Sequence, residues 1–133
     1  MYSPTVMDHF EHPRNGGKPP NFNTKGVAGN PSAGPYMVLY LDIRKDRIEG
    51  VGFQTYGCPS AIAAGSLMTE MIKGKSRMEA AAIDSPGLIE SLGGLPLGKR
   101  HCADLAVSAL RDALGQAPLE TEEGTSGEEI SSR

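Results

Sequence analysis

The sequence predicts an α+β domain in which a small antiparallel sheet of about three strands is covered on one face by helices. Residues 36–56 contain two segments rich in apolar, β-branched and aromatic residues, separated by a charged turn, which is the pattern of a β-hairpin. From residue 60 onward, apolar residues recur at helical spacing. Because 133 residues support one core and not two, we assign both halves to a single domain over residues 1–117.

The first predicted elements are a short helix and a long loop. Ser3 followed by Pro4 is a favoured N-cap and first-turn pair, and Pro13 ends the apolar stripe that follows. Residues 14–35 are rich in Gly, Pro and Asn, so we expect a loop there, with a short edge strand around Gly26–Ala28.

The central elements are two strands and a helix. Strands are predicted over residues 36–43 and 48–56, joined by the charged tetrapeptide RKDR. A helix is predicted over residues 60–73, because Ile, Leu and Met recur in an Ala-rich segment that stops at Gly74.

Three further helices are predicted in the second half. The Ser76 and Glu79 pair has the spacing of a capping box, and residues 85–86 are the Ser-Pro start of another short helix. A last helix over about residues 99–114 carries one broad apolar face. Residues 118–133 hold five glutamates and one arginine among Thr, Ser and Gly, which predicts an acidic disordered tail.

Composition excludes several classes of protein. The net charge is -3 and no basic run is present, so we expect no nucleic-acid binding. The apolar stretch 61–72 is too short to cross a bilayer, and residues 1–14 resemble neither a secretory signal nor a transit peptide, so we expect no membrane association. Two cysteines are too few for a disulfide scaffold, which favours a reducing, cytoplasmic setting.

The two cysteines occupy positions that suit chemistry. Cys58 lies between a predicted strand and a predicted helix, and Cys102 lies in the first turn of the last helix, directly after His101. The N–H groups of a helix N-terminus favour a thiolate, and thiolate and imidazole are good ligands for zinc or iron. If the last helix packs across the loop at Cys58, these three side chains converge.

Plainer interpretations of the same residues remain open. Cys58 also suits a tight turn as a small residue, and Cys102 suits packing on a helix face. A disulfide is disfavoured by the compartment, and a thiol enzyme lacks an orienting partner for His101. His9 and His12, at i and i+3, are expected to lie on a solvated helix face.

Four segments carry a more specific signal: VMDHFEHPRN at 6–15, FQTYGCPSAIA at 53–63, TEMIKGK at 69–75 and KRHC at 99–102. In order and spacing they resemble the IscU family of iron-sulfur cluster assembly scaffolds, which includes the N-terminal domain of NifU. The resemblance covers about residues 2–115. No long insertion separates the two cysteines, so the chain resembles the scaffold branch and not the zinc-dependent SufU branch.

The resemblance implies a non-enzymatic scaffold that accepts sulfur from a cysteine desulfurase and assembles a transient [2Fe-2S] cluster from it and iron, with zinc as another metal of the site. Cys58, His101 and Cys102 match family ligands, and Cys102 matches the sulfur acceptor. The implied partners also include an Hsp70-type chaperone, its J-protein and recipient apo-proteins, and self-association into a homo-oligomer is left open.

The loop GNPSAGP at 29–35 departs from the family pattern, which is close to G-x-P-x-C-G-D. Ala33 stands at the position of the first ligand cysteine and Pro35 at that of the aspartate. Neither residue offers a side-chain ligand. Two hypotheses follow: a scaffold that works with three ligands, or a degenerate paralogue that binds a desulfurase or a single metal ion without building clusters.

The chaperone-binding motif of the family is also only partly present. The family's LPPVK appears here as LPLGK at 95–99. Leu95, Pro96 and Lys99 are retained, while the second proline and the valine are lost.

Overall fold

A three-stranded antiparallel sheet with the order β1-β2-β3 forms the framework of the computed structural model, which describes residues 2–117. The fold is α+β, as predicted. The predicted disordered tail at 118–133 lies outside the described residues. Along the chain the elements are α1 (Pro4–Glu11), β1 (Thr24–Gly29), β2 (Tyr36–Arg44), β3 (Arg47–Tyr56), α2 (Pro59–Ile72), α3 (Arg77–Ala81), α4 (Ser85–Ser91), a 3-10 turn (Leu97–Lys99) and α5 (His101–Gln116).

Strand β1 is longer than the sequence predicted. In place of a short edge strand around 26–28, all six residues from Thr24 to Gly29 pair with β2. Buried and exposed positions alternate along β1, and its buried positions are Thr24, Gly26 and Ala28. Such small residues give almost no hydrophobic signal, which explains why the pattern understated the strand.

The small residues of β1 allow helix α5 to lie directly on the strand. A Cβ at Gly26 would sit 2.1 Å from the Ala109 carbonyl oxygen and 2.3 Å from the Ala113 nitrogen. The Thr24 hydroxyl donates to the Ala113 carbonyl at 2.7 Å, and the Asp112 carboxylate accepts the Val27 N–H at 2.8 Å. These contacts fix the position of α5 on the sheet.

Helix α2 packs on the same sheet through another glycine. A Cβ at Gly65 would come within 2.6 Å of the Phe53 ring of β3, so the helix axis lies close to the strand. Helices α2 and α5 also contact each other. Within residues 2–117, no helix is long and apolar enough to cross a membrane.

His9 corrects one expectation from the sequence. His12 is exposed as expected, but His9 is only 5 % exposed and lies between α1 and α2. Its Nδ1 is 2.7 Å from the Ser66 hydroxyl, which also accepts the Arg14 backbone N–H at 2.9 Å. Its Nε2 is 3.7 Å from Glu70. The ring therefore belongs to a buried polar cluster and not to a solvated face.

Burial determines the protonation of His9. Desolvation lowers the pKa of its ring below the usual 6.5, and the nearby Arg14 guanidinium lowers it further. Glu70 and Asp8 act in the opposite direction but do not outweigh burial. His9 is therefore held as neutral imidazole, with Nδ1 free to accept a hydrogen bond from Ser66.

Gly26→Ala is expected to destabilise the protein by about 3 kcal/mol, because the new methyl group meets backbone atoms that cannot move aside. Urea unfolding followed by circular dichroism measures the free energy of unfolding. Gly115→Ala is the matched control in α5: nothing lies within 4 Å of its Cβ, so helix propensity predicts a gain of about 0.5–1 kcal/mol. Equal stability of wild type and Gly26→Ala would contradict the close packing.

The lowered pKa of His9 predicts a loss of stability in mild acid. The unfolded chain takes up a proton near pH 6.5, whereas the folded chain does so only at lower pH, so stability is full above pH 6.5 and falls as the pH drops through the folded pKa. His9→Asn keeps an acceptor near Ser66 and cannot titrate. Its unfolding free energy should therefore change less than that of wild type between about pH 7.5 and 5.5; parallel curves would refute the assignment.

Candidate functional site

Cys58 stands at the junction between the sheet and helix α2. Strand β3 ends at Tyr56, and Cys58 is the N-cap residue of α2, with φ -87° and ψ 174° and Pro59 following in the first turn. Its extended backbone turns the chain from strand into helix, and its thiol is half-buried. The sequence predicted this placement between strand and helix.

Cys102 and His101 lie at the start of α5, after the 3-10 turn 97–99. The Cys102 thiol is buried, and the His101 side chain is exposed. The two sulfur atoms lie 3.5 Å apart, and the Cys102 sulfur lies 3.8 Å from His101 Nε2. The packing of α5 across the N-terminus of α2 therefore brings all three predicted side chains together.

The three side chains line a small cavity of about 170 Å³. Its other walls come from the loop before β2, the start of α2, the 3-10 turn and α5, with the residues Pro35, Gly57, Ala61, Lys99 and Leu105. Most of this lining is apolar, while Lys99 places a positive charge near the sulfurs. No sequence signal placed Lys99 beside the sulfurs, although Lys99 belongs to both of the segments KRHC and LPLGK.

The surroundings shift the pKa values of the two thiols in opposite directions. Burial raises the pKa of Cys58, but hydrogen bonds from the Ala61 and Ser60 N–H groups and from the Cys102 thiol, together with Lys99, outweigh it and leave the pKa below its ordinary value. Burial, reinforced by Cys58, raises the pKa of Cys102 to about 12. Cys58 therefore loses its proton first, and Cys102 donates a hydrogen bond to the resulting thiolate.

Two distances, from the Cys102 sulfur to the Cys58 sulfur and to His101 Nε2, are close to those between ligands of one tetrahedral metal ion. Zn–S bonds of about 2.3 Å place two thiolates about 3.8 Å apart, and a thiolate and an imidazole nitrogen about 3.6 Å apart. The observed separations of 3.5 and 3.8 Å are close to these values. However, within residues 2–117 no three His, Cys, Asp or Glu side chains are already arranged to hold a metal ion. The exposed His101 ring would have to rotate to complete a three-ligand set.

The loop 29–35 borders this site without adding a ligand. Pro35 lines the cavity, at the position where the resemblance places an aspartate. Ala33 is exposed and lines a neighbouring depression with Tyr36 and Tyr56. The Asn30 carbonyl accepts the Ala33 N–H at 3.0 Å, so the loop forms a tight turn.

Leu97 is a member of the segment LPLGK that no sequence signal singled out. Leu95 is buried and Pro96 half-buried, whereas Leu97 is 86 % exposed. Leu97 stands where the motif LPPVK has its second proline. It is therefore not one of the retained motif positions, and the resemblance did not point to it. It is the most exposed of the large hydrophobic side chains among residues 2–117.

The amino-acid sequence is similar to those of known scaffold proteins. The chain is similar to the iron-sulfur cluster assembly scaffold protein IscU 1 of Archaeoglobus fulgidus, with 48% identity over 114 residues, which are 86% of this chain and 74% of that one. It is also similar to IscU of Escherichia coli, with 44% identity over 117 residues, or 85% and 91% of the two chains.

Solved structures show the same fold. A proposed scaffold protein of the SUF system from Fervidobacterium islandicum superposes with a TM-score of 0.67 at 26% identity, over 85% of this chain and 96% of that one. The N-terminal part of a NifU-like protein from Brucella abortus gives 0.65 at 14% identity, over 86% and 92%. The family model "NifU-like N terminal domain" matches residues 1–122, and the chain belongs to this family.

Proposed function

We propose that this protein is an IscU-like scaffold for iron-sulfur cluster assembly. The observation that carries the proposal is the pair of thiols 3.5 Å apart at the starts of two helices, beside His101, in a chain of this family. The relatives are named as scaffold proteins and not as enzymes, and we assign no turnover reaction to this chain.

Sulfur from a cysteine desulfurase reaches the cavity through Cys58 in this proposal. Cys58 is half-buried with a lowered pKa, so its thiolate can attack the outer sulfur of a desulfurase persulfide and release the desulfurase thiolate, whereas Cys102 is 2 % exposed. Transfer over 3.5 Å then places the sulfane sulfur on Cys102, the acceptor that the resemblance implies.

In this proposal, the cavity residues also bind iron, a [2Fe-2S] cluster or zinc. Cys58, Cys102 and His101 supply three soft or borderline donors, whereas a [2Fe-2S] cluster takes four ligands. Water, a side chain of a partner or a second copy of this chain supplies the fourth. The positive charge of Lys99 offsets part of the negative charge that the thiolates bring.

The exposed part of LPLGK supports a chaperone contact. Leu97 and the half-buried Pro96 present apolar surface close to Lys99, which also borders the cavity. We propose that an Hsp70-type chaperone with its J-protein binds here and assists transfer to recipient apo-proteins. We also propose a reducing, cytoplasmic setting, because two cysteines are too few for a disulfide scaffold.

The loop 29–35 favours a second candidate function. Because Ala33 and Pro35 provide no ligand beside the cavity, a degenerate paralogue that binds a desulfurase or one metal ion would have the same structure. Cluster formation distinguishes the two candidates.

Anaerobic reconstitution with ferrous iron, L-cysteine, a cysteine desulfurase and excess dithiothreitol is expected to give visible cluster absorption that Cys58→Ala abolishes, because Cys58 is one of the three proposed ligands. Iron and acid-labile sulfide analysis measures the yield. His12→Ala, at an exposed histidine away from the cavity, is the matched control and should behave as wild type. Tight binding of a single zinc ion without cluster absorption would support the degenerate paralogue.

Restoration of the loop tests its alignment. Ala33→Cys with Pro35→Asp is expected to raise affinity for Co²⁺ or Zn²⁺ by about 10-fold or more, since added thiolate and carboxylate ligands complete the set. Competition with a chromophoric chelator measures the affinity. Unchanged affinity would mean that the loop does not supply the missing ligands.

The acidity difference predicts the order of thiol alkylation. With limiting iodoacetamide, Cys58 should react at least about 10-fold faster than Cys102, and at lower pH than an ordinary thiol, because only the thiolate reacts. Peptide mass spectrometry over a pH series locates the label. Equal rates in the folded chain would contradict the geometry; in urea, where the fold is lost, the rates should converge.

A further inference from the structure

The thiol pair of the cavity has no third sulfur beside it. The chain contains two cysteines, their sulfurs lie 3.5 Å apart, and the loop position that would supply another is Ala33. A persulfide formed on either cysteine therefore has one neighbouring thiol and no other within this chain.

We infer that this pair reduces the sulfane sulfur of its own persulfide to hydrosulfide and closes into a Cys58–Cys102 disulfide in the same step. The inference rests on the proposed function, because a desulfurase must first deliver the sulfur. It goes beyond that function because the protein itself supplies the two electrons that convert sulfane sulfur into the sulfide of a cluster.

The step balances without a further reagent. The thiol of one cysteine loses its proton to solvent and attacks the inner sulfur of the persulfide on the other cysteine. A bond forms between the two Sγ atoms, the bond to the outer sulfur breaks, and the outer sulfur leaves as HS⁻ with the bonding electron pair and the proton it already carried. Two cysteine thiols are oxidised to one disulfide, and one sulfane sulfur gains two electrons.

The geometry fits this attack from either side. The inner sulfur of a persulfide is the Sγ atom of the cysteine that carries it, so the 3.5 Å separation applies whichever residue receives the sulfur. A disulfide bond is about 2.05 Å long, so the atoms approach by about 1.5 Å. Cys58 is the half-buried N-cap residue of α2 and Cys102 is buried, so we expect the Cys58 side chain to make most of this movement.

The hydrosulfide is released into the cavity that the two cysteines line. Hydrosulfide leaves into the space of about 170 Å³ that His101 and Lys99 border, where iron would be held. The disulfide form keeps no thiolate to bind metal, so sulfide release and metal binding alternate at this site. An external dithiol of the thioredoxin class returns the pair to its reduced form by thiol-disulfide exchange.

The test uses the reduced full-length chain under anaerobic conditions with no thiol reductant. The cysteine desulfurase is first loaded with persulfide sulfur and then separated from L-cysteine, because free L-cysteine would itself reduce a persulfide. Free sulfide is measured colorimetrically, and intact mass spectrometry follows the chain after trapping of thiols. Wild type is expected to release about one hydrosulfide per chain and to lose about 2 Da as it forms the disulfide. Cys102→Ser should instead retain sulfur on Cys58 as a gain of about 32 Da and release no sulfide, and Cys58→Ser should take up little sulfur and release none.

The outcomes separate the two proposals. A wild-type chain that keeps the gain of about 32 Da and releases no sulfide would overturn the inference and leave sulfur acceptance intact. Equal sulfide release from the serine variants would overturn it as well, because the pair would not be required. Sulfur uptake by none of the three chains would overturn the inference together with the proposed function.

Discussion

The packing of α5 on β1 is the constraint on which the rest of the molecule depends. Gly26 leaves the space that the Ala109 and Ala113 backbone fills, and Thr24 holds the same turn of the helix by a hydrogen bond. With its middle and C-terminal part fixed on the sheet, α5 has one direction available, and that direction carries its first turn across the start of α2. The distance between Cys58 and Cys102 is therefore a consequence of backbone contact about 7–11 residues further along α5.

The same arrangement determines the chemistry of the thiols. Two helices begin at one cavity, but only the start of α2 points its N–H groups at a sulfur, that of Cys58. Cys102 lies in the first turn of α5, is buried and keeps its proton, because burial raises its pKa. The pair therefore carries one negative charge, on Cys58. Burying one thiolate in this apolar cavity costs less desolvation free energy than burying two, and the Cys58 thiolate remains a nucleophile.

Much of this could be predicted from the sequence, and the failures have physical causes. Strands β2 and β3 and helices α2 and α5 carry strong periodic patterns, and the positions of Cys58 and Cys102 at helix starts followed from them. Strand β1 was understated because a strand that packs against a helix backbone needs residues with little hydrophobic signal. His9 was taken as solvated because its partners Ser66 and Glu70 are more than 50 residues away, and spacing within α1 carries no information about them.

Because the loop 29–35 supplies no side-chain ligand, the chemistry of the cavity depends on its two thiols and on His101. Here the cavity wall at Pro35 is apolar, and the positive Lys99 and the exposed His101 are the polar groups left beside the sulfurs. Two sulfurs 3.5 Å apart are at the right distance both to bind one metal ion and to exchange bonds with each other. In the proposed function, we therefore expect the order in which metal and sulfane sulfur arrive to decide which of these two reactions occurs.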